Sequence, residues 1–424
     1  MYSVNRYLLA LALFAATLLL QPMLFANTLC VNPGGTNGCY ATISAAVAAA
    51  STGDTINVKP GVYREDVIVN KPVSIVGTKP VITIVDAEGQ ANGFNIDGLN
   101  NPGLANVTIT GFTVRNAQFE GIVITNASYV NVWGNVVSAN DKGLDLGTFT
   151  CPGLPPWETS EEEDCGEGIH LNAVDHSTIV SNLVMQNAGG ILMSDETGIT
   201  HDNLISQNTV HDNPYDCGIT IASHPPAPGY GDNPFGLAHN TVFANTSYHN
   251  GTQVPGAGAG IGVFDSIPGT SNVGNVIVGN ISYNNGLPGF AMHSHAPGQV
   301  LTDTIIAGNT FYGNAADTED AATPGPTGVN VYGVSPAAGT IISGHSIHDE
   351  DVDVAVNTPT EVLVNLNNLL AGGLNLGLDN LGTGTVNATE NWWGCPTGPG
   401  TSGCSNVSGS GVLYTPWLRS PFLH

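Results

Sequence analysis

Basic side chains are scarce in this chain of 424 residues, which has 8 lysine and arginine residues against 34 aspartate and glutamate residues. The formal net charge is −26 at pH 7. Proteins that bind nucleic acid use many basic side chains to neutralise phosphates, so we expect no nucleic-acid partner. The same negative field repels anionic polysaccharides unless a cation screens it.

Long apolar runs are also scarce. The main one covers residues 8–20, follows Arg6 and precedes Ala26, a plausible cleavage residue. It is too short and too close to the terminus to favour a membrane-spanning helix, so it predicts a signal peptide over residues 1–26. We expect a protein that is secreted, periplasmic or at the cell surface, that has no membrane association after cleavage, and that is a monomer.

The chain has only seven cysteines, a number that suits local disulfides in an oxidising compartment. Cys217 is left over from the pairing, and its position next to Gly218 predicts a small buried hydrophobe rather than a reactive thiol. The other six form three close pairs around loop-like sequence: Cys30 with Cys39, Cys151 with Cys165, and Cys395 with Cys404.

What the chain does contain is a repeat. A glycine followed by an apolar, a variable and a second apolar residue recurs at spacings of 22 to 42 residues, which is typical of a solenoid with loop insertions. The alternation predicts a short strand in each coil, with one buried face. The eight copies begin at Gly121, Gly143, Gly168, Gly190, Gly218, Gly260, Gly289 and Gly328.

A second repeat consists of two asparagines five residues apart. Each copy precedes one of the glycine strands, so both repeats belong to one coil. Stacked asparagines in a tight bend can bond one another's side-chain amides. The chain is therefore predicted to be one continuous solenoid rather than several domains. The asparagine copies begin at Asn135, Asn182, Asn208, Asn245, Asn280 and Asn309.

Two terminal segments carry a resemblance to a known family. Residues 41–76 combine an apolar stripe at Ile43, Val47 and Ala50 with a Gly53-Asp54 turn and a strand, and residues 391–400 read NWWGCPTGPG. The first segment resembles the entry module of the pectate-lyase-like superfamily, and the second resembles the closing element of bacterial surface β-helix proteins. The resemblance implies an all-β, right-handed parallel β-helix of roughly ten coils with an N-terminal helical cap at residues 43–50.

The expected organisation is a single β-helix domain over residues 27–424. Within it we expect a cap and first coils at 27–97, central coils with insertions at 98–357, and last coils with a C-terminal cap at 358–424. The superfamily includes lyases, hydrolases, esterases, epimerases and adhesins, so the resemblance implies a fold and no single activity. The basic cleft of pectate lyases, the paired aspartates of polygalacturonases and the epimerase Tyr-Gly-Phe-Asp-Pro-His signature are all missing from the sequence.

Polar side chains nevertheless gather on one face of the predicted coils. In each glycine strand the first and third residues after glycine should face the core, and the second and fourth should face outward. Histidine and carboxylate together can form a general acid–base pair or a metal site. The candidate catalytic residues are His170, Asp195, His224, Asp265 and His293.

Metal and substrate ligands are predicted from the same columns and from the loops. Long insertions, among them the acidic loop WETSEEEDCGE, would wall a groove, and Ca²⁺ is the candidate cofactor because carboxylates are its preferred ligands. Outward aromatic residues on adjacent coils could stack sugar rings or could form a stabilising ladder. The candidate metal ligands are Asp195, Glu196 and Asp216, and the candidate substrate-binding residues are Tyr248, Tyr283, Tyr312 and His295.

These observations favour an exported protein that acts on a polysaccharide or other glycan by lyase- or epimerase-type chemistry. Proton abstraction next to a uronate carboxylate needs a base, an acid and a charge-neutralising group. One alternative is a non-catalytic scaffold at the cell surface or in the matrix. Another is a metal-carrying β-helix that resembles the copper-associated accessory proteins of periplasmic nitrous-oxide reduction.

Overall fold

Short parallel strands make up nearly all the regular structure of the chain. The computed structural model describes residues 26–148, 150–159, 165–254 and 256–423. Within those ranges it contains one helix, Ile43–Ala49, and 41 strands that build three long sheets and one short sheet. The pairs within each sheet are parallel and lie in successive coils. The predicted right-handed parallel β-helix is confirmed.

Two of the long sheets form the walls that turn away from the candidate site. The 14-stranded sheet consists of Thr28–Val31, Thr55–Val58, Ser74–Gly77, Thr108–Thr110, Asn131–Trp133, Thr178–Val180, Leu204–Ser206, Thr241–Phe243, Val276–Val278, Ile305–Ala307, Ile341–Ser343, Val362–Asn365, Val386–Asn387 and Val412–Leu413. The 11-stranded sheet consists of Gly61–Tyr63, Thr83–Asp86, Thr113–Arg115, Val136–Ser138, Leu183–Met185, Thr209–His211, Thr246–Tyr248, Ile281–Tyr283, Thr310–Tyr312, Ser346–His348 and Asn368–Leu370.

The remaining long sheet carries the polar columns. The 12-stranded sheet consists of Val67–Val69, Phe94–Asp97, Ile122–Thr125, Glu167–Asn172, Gly189–Ser194, Ile219–Ser223, Ile261–Asp265, Phe290–Ser294, Thr327–Gly333, Val352–Asn357, Leu376–Asn380 and Asn406–Gly409. A four-stranded sheet, Thr200–His201, Leu237–Ala238, Ser271–Val273 and Val300–Thr302, covers the corner beside it.

The core is the tube enclosed by the three long sheets. In the 12-stranded sheet Ile169 and Leu171 are fully buried and lie level with Ile191 and Met193 of the next coil. The first and third residues after each glycine therefore face the core, as predicted. Burial of one apolar side chain is worth about 1.5–3 kcal/mol, so the stack of such pairs drives the assembly of neighbouring coils.

Three ladders of asparagine side chains run along the tube in the described part of the chain, through Asn203, Asn208 and Asn213. Asn182 Nδ2 donates to Asn208 Oδ1 at 3.1 Å, and Asn208 Nδ2 donates to Asn245 Oδ1 at 3.0 Å. The predicted amide ladder is confirmed. The left-handed residue of each bend is the one before the asparagine, for example Gln207 with φ 54°. One ladder ends in Glu350, whose carboxylate accepts from Asn314 Nδ2 at 2.8 Å.

The N-terminal helix caps the open end of the tube. Its own residues Ile43 and Val47 are buried. Thr42 Oγ1 accepts the Ala45 backbone N–H at 3.1 Å. The Glu65 carboxylate accepts the Ile43 backbone N–H at 2.8 Å. A carboxylate at this position satisfies helix N–H groups that have no partner inside the helix. The predicted cap is confirmed, and it ends one residue earlier than expected, at Ala49.

The three predicted disulfides are present, joining Cys30 to Cys39, Cys151 to Cys165 and Cys395 to Cys404. Cys217 is free and buried, as predicted, and burial raises the pKa of its thiol well above the ordinary value.

One strand prediction is wrong. The copy at Gly143 forms turns instead of a strand of the 12-stranded sheet, because Ile122–Thr125 pairs directly with the strand at residue 169, and Val123 lies beside His170. Residues 143–166 therefore belong to an insertion within one coil. This insertion contains the second disulfide.

Two expectations about the terminus and the coils remain open. The predicted signal peptide lies almost entirely outside the described residues, which begin at residue 26. The count of roughly ten coils stays a prediction, since the long sheets have 14, 12 and 11 strands in the described part of the chain. The only helix there is too short to cross a membrane.

Candidate functional site

The outer face of the 12-stranded sheet is covered by insertions, which buries side chains that we expected to be exposed. His170 is 1% exposed and His224 is 6% exposed. The prediction that the second and fourth strand positions face solvent is therefore wrong in this part of the sheet. Polar groups at these positions must find partners within the protein, because an unpaired buried polar group is costly.

An acidic cluster lies at one end of this covered face. We define it as Glu120, Glu158, Glu167 and His170. The His170 Nδ1 atom lies 3.3 Å from Glu120 Oε1, 3.6 Å from Glu158 Oε1 and 3.8 Å from Glu167 Oε2. Glu120 and Glu167 each precede the glycine of a strand, in adjacent coils, whereas Glu158 comes from the insertion that follows residue 143. The Trp157 ring lies 6.0 Å from the His170 ring.

The carboxyl groups of this cluster differ in protonation. Burial raises the pKa of Glu158 well above its ordinary value, and the neighbouring Glu120 charge raises it further. Burial also opposes the ionised form of Glu120, but hydrogen bonds to Glu158 and His170 lower its pKa overall. Two carboxyl groups in contact cannot both ionise cheaply. In the absence of a bound cation, Glu158 is the one that keeps a proton.

A chain of hydrogen bonds leads from the acidic cluster to the next coils. His170 Nε2 lies 2.7 Å from Ser194 Oγ, and Ser194 Oγ lies 2.5 Å from Glu196 Oε2. The other Glu196 oxygen, Oε1, lies 2.8 Å from His224 Nδ1. Asn172 Nδ2 also donates to Glu196 at 2.9 Å. One carboxylate therefore orients both imidazole rings.

Glu196 is ionised although it is almost completely buried. Burial alone would raise its pKa, but the charge and hydrogen bond of His224, together with His170 and Ser194, lower the pKa to about 2. The Glu196 charge holds a hydrogen on His224 Nδ1. An imidazole positioned in this way can take part in proton transfer.

Asp195 supports this arrangement from the backbone side. Its carboxylate accepts the His224 backbone N–H at 2.7 Å and the Ser223 hydroxyl at 2.8 Å. It also accepts the Gly236 backbone N–H at 2.5 Å. These bonds join the end of one strand to the insertion that follows residue 224, so Asp195 holds the loop bearing His224 in place.

A cavity opens beside His224. We call it the histidine cavity; it has a volume of about 190 Å³ and contains no lysine or arginine in its lining. Asp216 of the predicted metal set is part of the wall, and Phe264 supplies an apolar surface. The lining residues are Asp216, Thr220, Ala222, Ser223, His224, Phe264, Ser266 and His295.

His295 faces this cavity with both ring nitrogens close to oxygen acceptors. Its Nε2 lies 3.0 Å from Asp320 Oδ2, and its Nδ1 lies 2.8 Å from the Asp265 carbonyl oxygen. The hydrogen bond to Asp320 raises the pKa of His295, more than burial lowers it. The Asp320 contact therefore favours the protonated form of His295.

The other predicted catalytic residues lie behind the cavity. His293 Nε2 lies 3.4 Å from Asp317 Oδ2, and its ring contacts the Phe264 ring edge-on at 5.4 Å. Asp265 is fully buried, and burial raises its pKa to about 7 although Asn272 donates to it at 2.9 Å. Neither side chain lines the cavity, and His170 and Asp195 do not line it either.

Some residues of the site were not predicted. Glu120, Glu158, Ser194 and Asp320 complete the contacts of the predicted histidines. The signal for Glu120 was present in the sequence, because a glutamate precedes the strand glycine there and again at Glu167. Glu158 and Asp320 lie in insertions, where the repeat gives no position.

The tyrosines predicted to bind substrate lie on the 11-stranded sheet, away from the candidate site. Tyr248, Tyr283 and Tyr312 stack on one another with ring centroids 4.8 Å and 4.7 Å apart and interplanar angles of 8° and 5°. His211 and His348 extend the stack at either end. The ring faces cover one another and are not available to a sugar ring. This geometry favours the alternative interpretation, a ladder of stacked rings that stabilises adjacent coils.

Three groups of side chains have ligand atoms close enough to share a metal ion. They differ in burial, from the covered acidic cluster to an exposed surface group. The groups are Glu120, Glu158 and His170; His293, His295 and Asp320; and His176, His201 and Asp202. The predicted set Asp195, Glu196 and Asp216 does not appear among them, and the first two carboxylates are occupied by the hydrogen bonds described above.

The surface group is suited to copper in its donor atoms. His176 Nδ1 lies 2.7 Å from Asp175 Oδ1, and His201 Nδ1 lies 2.7 Å from Asp202 Oδ2. Carboxylate partners of this kind orient imidazoles for metal binding through Nε2. Imidazole and carboxylate ligands suit Cu²⁺ among other divalent ions.

Comparisons with known proteins agree with the fold. The family model described as "Periplasmic copper-binding protein (NosD)" matches residues 47–254, slightly less than half of the chain. No curated protein is a significant match to the sequence. Among solved structures, DFA-IIIase from Arthrobacter chlorophenolicus A6 without its lid is 14% identical with a TM-score of 0.51, over 88% of this chain and 93% of that one.

Two further structures are more distant in shape. The mannuronan C-5 epimerase AlgE6 A-module of Azotobacter vinelandii is 14% identical with a TM-score of 0.47, over 88% of this chain and 94% of that one. An alginate lyase from Paenibacillus sp. str. FPU-7 is 12% identical with a TM-score of 0.36, over 91% of this chain and 99% of that one. At these identities the likeness concerns the fold alone.

Proposed function

Because this chain has the pectate-lyase-like parallel β-helix fold, we propose that it is an exported carbohydrate-active protein that acts on a polysaccharide at the histidine cavity. The proposed chemistry is proton abstraction of the lyase or epimerase type. The observation that carries the proposal is the presence of two imidazoles, His224 and His295, each paired with a side-chain carboxylate, in the lining of one cavity. Two imidazoles in one cavity can supply the acid and the base that this chemistry needs.

The roles follow from the contacts of each ring. Glu196 holds the Nδ1 hydrogen of His224, so His224 Nε2 accepts the proton next to the sugar carboxylate. His295, kept protonated by Asp320, donates to the leaving oxygen in a lyase or returns a proton to carbon in an epimerase. Its positive charge also offsets a substrate carboxylate. The Phe264 side chain in the same wall offers an apolar surface to a sugar ring.

A cation would assist an anionic substrate, since the cavity lining contains no lysine or arginine. Asp216 is the carboxylate of the lining and is the residue that would hold Ca²⁺ there. Bound Ca²⁺ would neutralise the substrate carboxylate. The carbohydrate-active names among the structural neighbours are consistent with this substrate class.

The test is an activity screen of the purified mature protein on polymannuronate, polyguluronate, polygalacturonate and neutral glycans, with and without Ca²⁺. Ultraviolet absorbance from unsaturated ends identifies a lyase, and uptake of deuterium from D₂O into the polymer without chain cleavage identifies an epimerase. Loss of either signal in His224→Gln assigns it to the cavity. Absence of turnover and of binding on every glycan would overturn the proposal and favour a scaffold.

A metal-carrying role is the second candidate, and the surface group of His176, His201 and Asp202 favours it. These residues lie within the segment matched by the copper-binding family model. Copper binding at this group predicts that the double variant His176→Gln/His201→Gln binds about one equivalent of Cu²⁺ per chain less than the parent protein, without change of glycan turnover. An unchanged copper stoichiometry in the double variant excludes this role for the group.

A further inference from the structure

In the acidic cluster, Glu120 Oε2 and Glu158 Oε2 are buried and accept no hydrogen bond from an N–H or hydroxyl group of the described residues. The two side chains are 1% and 5% exposed. An unsatisfied buried carboxylate oxygen is costly, so native proteins usually pair it with a donor, a water molecule or a cation. Both oxygens belong to groups that surround the same imidazole nitrogen, His170 Nδ1.

The hydrogen-bond chain fixes the tautomer of His170. Ser194 has one hydroxyl hydrogen and gives it to the Glu196 carboxylate at 2.5 Å, since an ionised carboxylate can only accept. The Ser194 oxygen must then accept from His170 Nε2 at 2.7 Å. When a cation replaces the Nδ1 hydrogen that bonds Glu120, the ring keeps its hydrogen on Nε2 and directs the Nδ1 lone pair toward Glu120, Glu158 and Glu167.

That arrangement places a lone pair and three carboxyl groups around one point. Their distances to Nδ1 are 3.3, 3.6 and 3.8 Å. A proton on Nδ1 would supply one positive charge against as many as three negative ones. A divalent ion supplies two and accepts the nitrogen lone pair as well.

We propose that the acidic cluster is a divalent metal site in which His170 Nδ1 and the carboxylates of Glu120, Glu158 and Glu167 are the ligands. One nitrogen and three carboxylate oxygens suit Mn²⁺ or Zn²⁺, whereas Ca²⁺ prefers oxygen ligands alone. The contact from His170 Nε2 to Ser194 and Glu196 is the outer-shell support that metal-bound histidines usually have.

Because Glu158 belongs to the insertion and the other ligands belong to strands, the metal would fasten the insertion to the sheet. The disulfide between Cys151 and Cys165 restrains the same insertion covalently. This site is separate from the histidine cavity, so it does not depend on the proposed carbohydrate activity.

The test is calorimetric titration of the chelator-treated mature protein with Mn²⁺, Zn²⁺ and Ca²⁺ in separate experiments. We use a background that carries His201→Gln, Asp202→Asn, Asp216→Asn and Asp320→Asn. In this background the surface group, the cavity carboxylate and the group around His293 do not contribute. We expect one equivalent of Mn²⁺ or Zn²⁺ per chain, bound at least about tenfold more tightly than Ca²⁺. Glu158→Gln should weaken binding at least about tenfold. This change lies outside the coils and should leave the circular dichroism spectrum unchanged.

Ser194→Ala separates a metal site from a cluster that merely binds cations by charge. Removing the outer-shell hydroxyl should weaken Mn²⁺ or Zn²⁺ binding by about 10–100-fold, although it changes no charge. Glu319→Gln, which removes one exposed negative charge elsewhere, is the matched control and should leave the affinity unchanged. Equal affinity in Glu158→Gln and Glu319→Gln, tighter binding of Ca²⁺ than of Zn²⁺, or no binding at all would overturn the proposal.

Discussion

The acidic cluster and the histidine cavity lie on the same face of the same sheet, and they differ in the ratio of carboxylates to imidazoles. In the acidic cluster three carboxyl groups surround His170. In the histidine cavity each imidazole has its own side-chain carboxylate, Glu196 for His224 and Asp320 for His295. Ser194 and Glu196 connect the two regions, so the difference arises within one continuous network.

The ratio decides which groups are charged. Glu158 and Glu196 are both buried, yet burial and the Glu120 charge raise the pKa of Glu158, whereas His224 and the other donors hold the pKa of Glu196 at about 2. A cluster with surplus carboxylates favours an added cation. A region with matched pairs can move protons instead. We therefore assign metal binding to the first region and acid–base chemistry to the second.

The largest expected effect comes from the residue that the two regions share. The Glu196 carboxylate oxygens accept hydrogen bonds from Asn172, Ser194 and His224. Glu196→Gln replaces one of these oxygens by an amide NH₂ group, so at least one buried donor loses its acceptor. We expect the free energy of unfolding to fall by about 3 kcal/mol, measured by urea denaturation at pH 7. Glu88→Gln is the control.

Glu88 forms an ion pair with Arg64 at 2.9 Å, with both side chains 69% exposed. Its removal should change the free energy of unfolding by less than about 0.5 kcal/mol. If the two substitutions had equal effects, Glu196 would not be the charge that joins the regions.

The next effect separates activity from stability at the cavity. His224→Gln should lower turnover per folded molecule by at least about a hundredfold, because the proton acceptor is lost. It should also lower the free energy of unfolding by about 1–3 kcal/mol, because the buried Glu196 loses a hydrogen bond. This cost is larger than an exposed histidine would give. His211→Gln is the matched control.

His211 also pairs with an aspartate, Asp212 at 2.6 Å, but it lies on the 11-stranded sheet. Turnover should survive its substitution. Turnover that survives in His224→Gln as well, with only stability reduced, would make His224 a structural residue.

A third effect concerns the pH dependence of stability behind the cavity. Burial raises the pKa of Asp265 from 3.8 to about 7, so folding favours its protonated form. Its contribution is complete below about pH 4 and is lost as the pH rises to about 7. Asp265→Asn should remove this fall in unfolding free energy, whose slope for a single carboxyl group is at most about 1.4 kcal/mol per pH unit. Asp232 is exposed, so Asp232→Asn is the control and should leave the pH profile of stability unchanged. Equal profiles for the parent protein, Asp265→Asn and Asp232→Asn would contradict the burial argument.

The strands and asparagine ladders of the coils could be predicted from the sequence, whereas the structure of the insertions could not. The strand pattern around Ile169 and Leu171 and the ladder through Asn208 follow from repeats that adjacent coils must share, so both were predictable. The Gly143 copy shows the limit, because apolar alternation is a local property and membership of a sheet depends on pairing. No asparagine pair lies between Gly143 and Gly168, and that absence was the available signal.

The strand positions of the site histidines could be predicted from the sequence, but the residues that contact and cover them could not. Periodicity placed His170 and His293 on the outer side of the sheet but could not show that insertions cover them. Partners such as Glu158 and Asp320 come from loops of irregular length, whose paths depend on tertiary packing. Which imidazole accepts a proton and which carries one is decided by those loop residues.

The smallest expected effect tests the acid of the histidine cavity. Asp320 Oδ2 lies 3.0 Å from His295 Nε2, and the other groups near this ring are His293 and the Asp265 side chain with its carbonyl oxygen. Asp320→Asn removes the main cause of the raised His295 pKa. Since the reaction needs His295 protonated, the alkaline limb of kcat/KM should move to lower pH.

Stability should change by less than about 0.5 kcal/mol, because the Asp320 side chain is 51% exposed. The neighbouring exposed Glu319→Gln changes the net charge equally and should leave the alkaline limb in place. A shift of the same size in both variants would mean that the general negative field, rather than the Asp320 contact, keeps His295 protonated. The pairing of His295 with its own carboxylate would then not explain its protonation, and the histidine cavity would differ less from the acidic cluster than we propose.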